Sequence, residues 1–250
     1  MRRIGLGCAL ALAAAAARAE ETRPNVVLMI ADNVGYGDLS CYNGGIRGAL
    51  RTPRIDALAT QGLRLTQFLV EPSCTPSRAG LMTGRYSVRS GLSLAILPGT
   101  PYTLQPGEVT LGEVFREAGY RTAYLGKWHL DDGGEKSQPQ NQGFEEWFGF
   151  TGSTDAVGYA ARIAEARARE GLAEAVQPWV VEARGAGGTK RVRPFDVEGR
   201  KQIDGELALR ARDYIRARAA AKERFLLAVG WTPPHQPTNI PPEFSGTSGN

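Results

Sequence analysis

The chain carries two histidines and three cysteines in 250 residues, so the places where they fall carry weight. His129 stands in GKWHL, two residues after Lys127, and His235 stands in PPHQP. Cys74 opens CTPSR, two residues before Pro76 and four before Arg78. Asp32 and Asn33 follow directly on the apolar run NVVLMIA. A thiol in a basic setting is a nucleophile or the precursor of one. Imidazole and ammonium groups close together can move protons and bind anions. A carboxylate beside an amide offers hard oxygen donors for a divalent cation. Each residue also has a plainer use: an inert buried thiol, a snorkelling lysine, a satisfied histidine, a turn aspartate.

What sets them apart is the pattern of elements around them. Four apolar runs, 25–31, 63–70, 121–126 and 224–231, read as buried strands. Each leads straight into polar residues: Asp32-Asn33, the stretch before Cys74, Lys127 and His129, and His235. Helical patterns alternate with them. TPRIDALATQG (52–62) opens on Thr-Pro, places Ile55, Leu58 and Ala59 on one face and stops at Gly62. TLGEVFREAGY (110–120) opens with a capping box, Thr110 and Glu113. Residues 203–220 put Ile203, Leu207, Ala211, Tyr214 and Ile215 on one stripe. Residues 131–143 and 184–201 read as loops, and 160–176 as a charged surface helix. Strand–helix alternation predicts an α/β fold with a mostly parallel central sheet, and such sheets bind ligands beyond the carboxyl ends of their strands.

The local sequence suits Cys74 to chemistry. Pro76 favours the first turn of a helix running through SRAGLMTG, which sets Cys74 at a helix N-terminus, where free amides favour an anion. Arg78 lies one turn on and could reach back. Along an extended segment Lys127 and His129 share a side, with Trp128 opposite.

Taken together, RPNVVLMIADNVGYGDLSCY, the stretch 52–91 around CTPSRAGLMTGRY, TLGEVFREAGYRTAYLGKWHL, QGFEEWFGF and TPPHQP resemble, in order, the N-terminal half of the type I sulfatases, in the alkaline-phosphatase-like superfamily. The resemblance implies an alkaline-phosphatase-like sandwich, truncated here, with residues 20–250 as the N-terminal part of the catalytic domain. It implies that a formylglycine-generating enzyme, reading Cys-x-Pro-x-Arg, converts Cys74 to Cα-formylglycine. One hydroxyl of the aldehyde hydrate attacks sulfur and releases the alcohol; the second reforms the aldehyde and expels sulfate. By the same resemblance Asp32, Asn33 and the residue-74 side chain hold calcium or another divalent cation. Arg78 reaches the formylglycine oxygens, Lys127 binds the sulfate and formylglycine oxygens, His129 serves the formylglycine hydroxyl as base, and His235 contacts the ester near its bridging oxygen. Ser153, in GFTGSTD, is a further sulfate contact on a looser match.

Two departures bear on activity. Position 33 is Asn where the common family pattern has Asp, which removes one negative charge from the cation site. The family's second metal pair and its leaving-group lysine belong to a later part of the fold. Here Asp32-Asn33 is the one Asp-Asn pair in the chain, and no lysine follows Lys222. The expected activity is sulfuric ester hydrolysis, with the 250 residues alone inactive. A phosphonate or phosphodiester hydrolase of the same superfamily and a non-catalytic sulfate-binding relic remain as alternatives.

MRRIGLGCALALAAAAARAEE has two arginines, a short apolar run and an Ala-Arg-Ala end, the pattern of a secretory signal cleaved after Ala19. The apolar run is too short to span a bilayer. The mature product is expected to be secreted or periplasmic. Removing residues 1–19 takes the formal charge from +4 to +1, so basicity gives no support for a nucleic-acid partner. The substrate expected is a small-molecule or glycan sulfate ester. Export would permit a Cys41–Cys74 disulfide, but the residues around Cys74 point to its conversion instead.

Overall fold

The computed structural model describes residues 23–43, 51–97, 100, 102–131, 135–158, 178–185, 187–238, 241–242 and 245. The expected export signal and the expected helix at 160–176 lie outside them. Six strands form one sheet in the order β1-β6-β2-β3-β4-β5. The strands are β1 (Val26–Asp32), β2 (Arg121–Lys127), β3 (Glu146–Phe150), β4 (Trp179–Arg184), β5 (Lys190–Pro194) and β6 (Phe225–Pro234). β1, β6, β2 and β3 run parallel; β4 and β5 add an antiparallel edge. The expected α/β sheet is therefore present, in mixed form.

Helices cover both faces. On one side lie α2 (Cys74–Thr83) and α3 (Leu111–Glu117); on the other lies the long α4 (Val197–Ala220). Strand alternation separates two cores. Tyr124, Leu226 and Ala228 pack with Ala79 and Met82 of α2, and with Trp128 and Phe144. Ala123, Leu125, Phe225, Leu227 and Val229 pack on Ile203 and Leu207 of α4. The stripe on α4 is the expected one, with Ala211, Tyr214 and Ile215 against its edge. The helix starts earlier than its apolar stripe, because Asp196 caps it by accepting from the Gly199 amide at 2.8 Å. The capping box of α3 forms as expected, with Thr110 and Glu113 bonded reciprocally.

Four expectations need correction. Residues 63–70 form no strand. Phe68 and Leu69 stand 67% and 87% exposed, and β1, the nearest candidate partner by sequence, pairs among the described residues with β6 alone. An apolar run becomes a strand only when its backbone groups find a ladder. β1 is not covered on both faces either, since Val27 and Met29 are largely exposed while Val26, Leu28 and Ile30 alternate inward. Helix α1 (Pro53–Gln61) forms where Thr-Pro places it, yet its apolar face, Ile55 and Leu58, stays exposed. The expected loop at 184–201 holds β5 and the first turn of α4.

Candidate active site

Residue Cys74 is the first residue of α2, and Pro76 sits in that first turn. The backbone before it is extended (Ser73, φ −146°, ψ 165°), so the chain turns into the helix at Cys74. The thiol is half-buried and free, as is that of Cys41. It opens into a cavity of about 280 Å³ lined also by Asn33, Ser73, Ala95, Ile96, Leu97, His129, Ser153, Asp155 and His235. These side chains come from the ends of β1, β2, β3 and β6, the start of α2 and the irregular segment 92–97. That is the end of a parallel sheet where ligands are expected.

Beneath the cavity lies a buried charge cluster. Lys127 Nζ donates to Asp32 Oδ2 at 2.7 Å and to Ser153 Oγ at 3.2 Å. The Arg78 guanidinium lies 3.7 Å from Asp32 Oδ1, and its Nη1 donates to the Lys127 carbonyl at 2.6 Å and to Tyr124 Oη at 3.2 Å. Asp32, Arg78 and Lys127 are 3%, 3% and 0% exposed. Burial pushes the Asp32 carboxyl up, but Lys127 and Arg78 outweigh it and hold it below the usual carboxylate range. Burial pulls Lys127 down from its ordinary value, against the attraction of Asp32. One carboxylate faces two cations, which leaves one positive charge uncompensated in this cluster, next to the cavity through the Lys127–Ser153 bond. Such a charge attracts an anion.

His129 has its ring in the same cavity. Its Nε2 lies 2.9 Å from the Ile96 carbonyl; a carbonyl accepts, so Nε2 carries the hydrogen. Nδ1 is then an acceptor, and it is buried without a protein partner. Burial first, then Lys127, pushes its pKa down to about 3. The ring is therefore neutral near pH 7, and Nδ1 keeps a free lone pair that can accept a hydrogen bond. His235 is less buried, with Nδ1 2.6 Å from the Gln236 carbonyl. Trp128 turns the other way, into the core, and its Nε1 donates to the Ser137 carbonyl at 2.8 Å.

Every residue singled out in the sequence, Asp32, Asn33, Cys74, Arg78, Lys127, His129, Ser153 and His235, thus falls in or directly under one cavity. Arg78 reaches the ends of β1 and β2 instead of folding back over Cys74. The fit to a divalent cation is poor in this arrangement. Calcium takes six or more oxygens, whereas both Asp32 oxygens already face cations, and no cluster of three His, Cys, Asp or Glu suited to a metal occurs among the described residues. The fit to an oxygen-bearing group at position 74 is better, because His129 and Cys74 line the same cavity and His129 Nδ1 has no protein partner.

Sequence reasoning missed Thr75, Tyr124 and three glycines. Gly126 of β2 pairs in register with Gly149 of β3 and Gly230 of β6. A Cβ at 230 would overlap the Lys127 carbonyl oxygen and lie 2.9 Å from Tyr124 Oη and 3.0 Å from Arg78 Nη1. The missing side chain is what lets Arg78 and Tyr124 converge on that carbonyl. No local pattern marks such a row, since the three glycines meet only through strand register.

Comparison with known proteins places the arrangement. The family model described as Sulfatase matches residues 24–250. Human arylsulfatase A is 45% identical over 155 residues, covering 61% of this chain and 30% of that protein. Human steryl-sulfatase is 44% identical over 116 residues, covering 44% of this chain and 19% of that protein. The crystal structure of the PsFucS1 sulfatase from Pseudoalteromonas sp. superposes with a TM-score of 0.75 at 31% identity, covering 90% of this chain and 47% of that one. The chain spans about a third or less of these curated relatives and about half of that structure.

Proposed function

The chain belongs to the sulfatase family, and from that premise we propose that it forms the N-terminal part of a sulfuric ester hydrolase whose reaction centres on residue 74. The observation that carries this reading is the convergence of Cys74, His129, Ser153 and His235 on one cavity above the Asp32–Lys127–Arg78 cluster.

Cys74, as Cα-formylglycine, would supply a hydrated aldehyde with one hydroxyl to attack sulfur and a second to release sulfate. The chain's own residues do the rest. His129 Nδ1 accepts the hydrogen of a hydroxyl at position 74, and its neutral state leaves that site open. The excess positive charge of Lys127 and Arg78 draws the sulfate into the cavity. Ser153, already bonded to Lys127, steadies the ammonium and offers a hydroxyl to a sulfate oxygen. His235, at the rim, faces the ester side. Asp32 and Asn33 are the chain's candidate donors to a calcium ion; too few to close a site alone, they carry no step here.

The proposed maturation is export, cleavage after Ala19 and modification of Cys74 by a formylglycine-generating enzyme. No helix among the described residues is long and apolar enough to cross a membrane. The substrate is a small-molecule or glycan sulfate ester. The test uses the full protein that carries this chain, from its native host. Mass spectrometry of the tryptic peptide Leu65–Arg78 should show formylglycine at 74, and an aryl sulfate should be hydrolysed in preference to the matched aryl phosphate. Cys74→Ala should abolish turnover. A preference for the phosphate ester would make the protein a phosphodiesterase-type relative. An unmodified Cys74 with no turnover would leave a binding relic.

A further inference from the structure

Thr75, the first variable position of Cys-x-Pro-x-Arg, is fully buried, and its hydroxyl closes a ring of hydrogen bonds around His129. Thr75 Oγ1 donates to the His129 carbonyl at 3.1 Å and accepts from the Ile96 amide at 3.1 Å. The Ile96 carbonyl in turn accepts from His129 Nε2 at 2.9 Å. One hydroxyl therefore ties the backbone of the histidine to the backbone of the residue that its ring grips. His129 needs such a tie. Its backbone is left-handed, at φ 56°, a conformation that costs a non-glycine residue about 1–2 kcal/mol. The Thr151 carbonyl, accepting from the His129 amide at 2.7 Å, is the other hold on it. Ile96 lies in a segment outside any helix or strand, where Thr75 supplies the amide's acceptor.

We propose that Thr75 is a positioning residue: by pinning Ile96 against His129 it fixes the imidazole as the Nε2–H tautomer and leaves Nδ1 as the unprotonated nitrogen of a ring that shares the cavity with residue 74. If the Ile96 carbonyl drifts, nothing on that side distinguishes the two ring nitrogens, and the proton can settle on Nδ1. That nitrogen would then donate where the reaction needs an acceptor. The kinetic part of this inference rests on the proposed hydrolase reading; the tautomer part does not.

The test compares Thr75→Val, which keeps the shape and deletes the hydroxyl, with Thr75→Ser, which restores it. Both leave Cys74, Pro76 and Arg78 in place. Two-bond proton–nitrogen correlation spectra of the 15N-labelled full protein resolve its histidines, with His129→Gln assigning the signal of interest. The parent and Thr75→Ser should show a single Nε2–H tautomer at His129. Thr75→Val should show a shifted or averaged nitrogen pair, with His235 unmoved. In turnover, corrected for formylglycine content by mass, Thr75→Val should lose about tenfold in kcat with KM nearly unchanged, and Thr75→Ser should recover it. His129 nitrogens in Thr75→Val identical to the parent's would overturn the proposal. If the parent has no formylglycine and no turnover, the hydrolase reading fails, and the nitrogen signals still decide the role of Thr75. Should Thr75→Val not fold, Thr75→Ala makes the same comparison.

Discussion

Lys127 Nζ and Asp32 Oδ2 meet at 2.7 Å with neither side chain more than 4% exposed, which makes them the most deeply buried ion pair among the described residues. The pair joins the ends of β1 and β2, strands separated in the sheet by β6. Removing one partner strands a charge out of water, at a cost of about 3–5 kcal/mol. Lys127→Met should lower unfolding stability by less than that, about 1–3 kcal/mol, because Arg78 at 3.7 Å remains as a counter-ion to Asp32. In the double variant Lys127→Met, Asp32→Asn the buried Arg78 loses its carboxylate, so the loss should stay large but fall short of the sum of the two single losses. Urea denaturation of the four species of the cycle gives the coupling; additive losses would mean the pair is not interacting as drawn.

Gly230 carries a different prediction. Its missing Cβ leaves room for Arg78 and Tyr124 to reach the Lys127 carbonyl. Gly230→Ala should destabilise the protein by about 1–3 kcal/mol through overpacking. It should also lower turnover by displacing Lys127. Gly205→Ala, where a Cβ meets nothing within 4 Å, is the control and should be neutral or mildly stabilising. Thermal unfolding of both variants separates the two cases.

How far the site could be read beforehand follows from which signals are local. Cys74 at a helix start was legible because Pro76 fixes the first turn, and Lys127 and His129 because they follow the short run RTAYLG that reads as a buried strand. β5 was not legible. Lys190–Pro194 is an edge strand with two arginines and a lysine, mostly exposed, and charges that protect an edge from pairing also disguise it as a loop. Residues 63–70 misled in the other direction, since composition reports the propensity for a strand but not the presence of a partner. Thr75 and the glycine row were invisible for one shared reason. Their partners, Ile96, His129 and the neighbouring strands, are distant in sequence and meet only in the fold.

Acid stability tests the state of His129. In the fold its pKa is pushed down to about 3, from an ordinary 6.5. Between those values the unfolded chain binds a proton that the folded chain refuses, so stability rises with pH across that window and falls on acidification. The slope from one such group is at most about 1.4 kcal/mol per pH unit. His129→Gln removes the titration, so its urea midpoint should change less than the parent's between pH 4 and pH 6. Parallel curves for the two proteins would show that His129 is not held neutral in the fold.

Arg78 tests the order of folding and modification. In the folded chain Thr75, Pro76 and Arg78 are all buried, and the Arg78 guanidinium is committed to the Lys127 carbonyl, Tyr124 and Asp32. An enzyme that reads Cys-x-Pro-x-Arg must therefore meet the segment before α2 docks on the sheet. Folded, unmodified protein should resist conversion by a formylglycine-generating enzyme, whereas a peptide spanning 70–85 should accept it. Arg78→Lys separates the residue's two uses, because a lysine cannot replace the guanidinium's several fixed donors. It should lower stability by about 2–3 kcal/mol, and formylglycine content measured on the same sample shows how much lost turnover comes from failed modification. Equal conversion of the folded protein and the peptide would mean that α2 opens in the native state, and the packing of Arg78 would then be a minor part of what holds the fold.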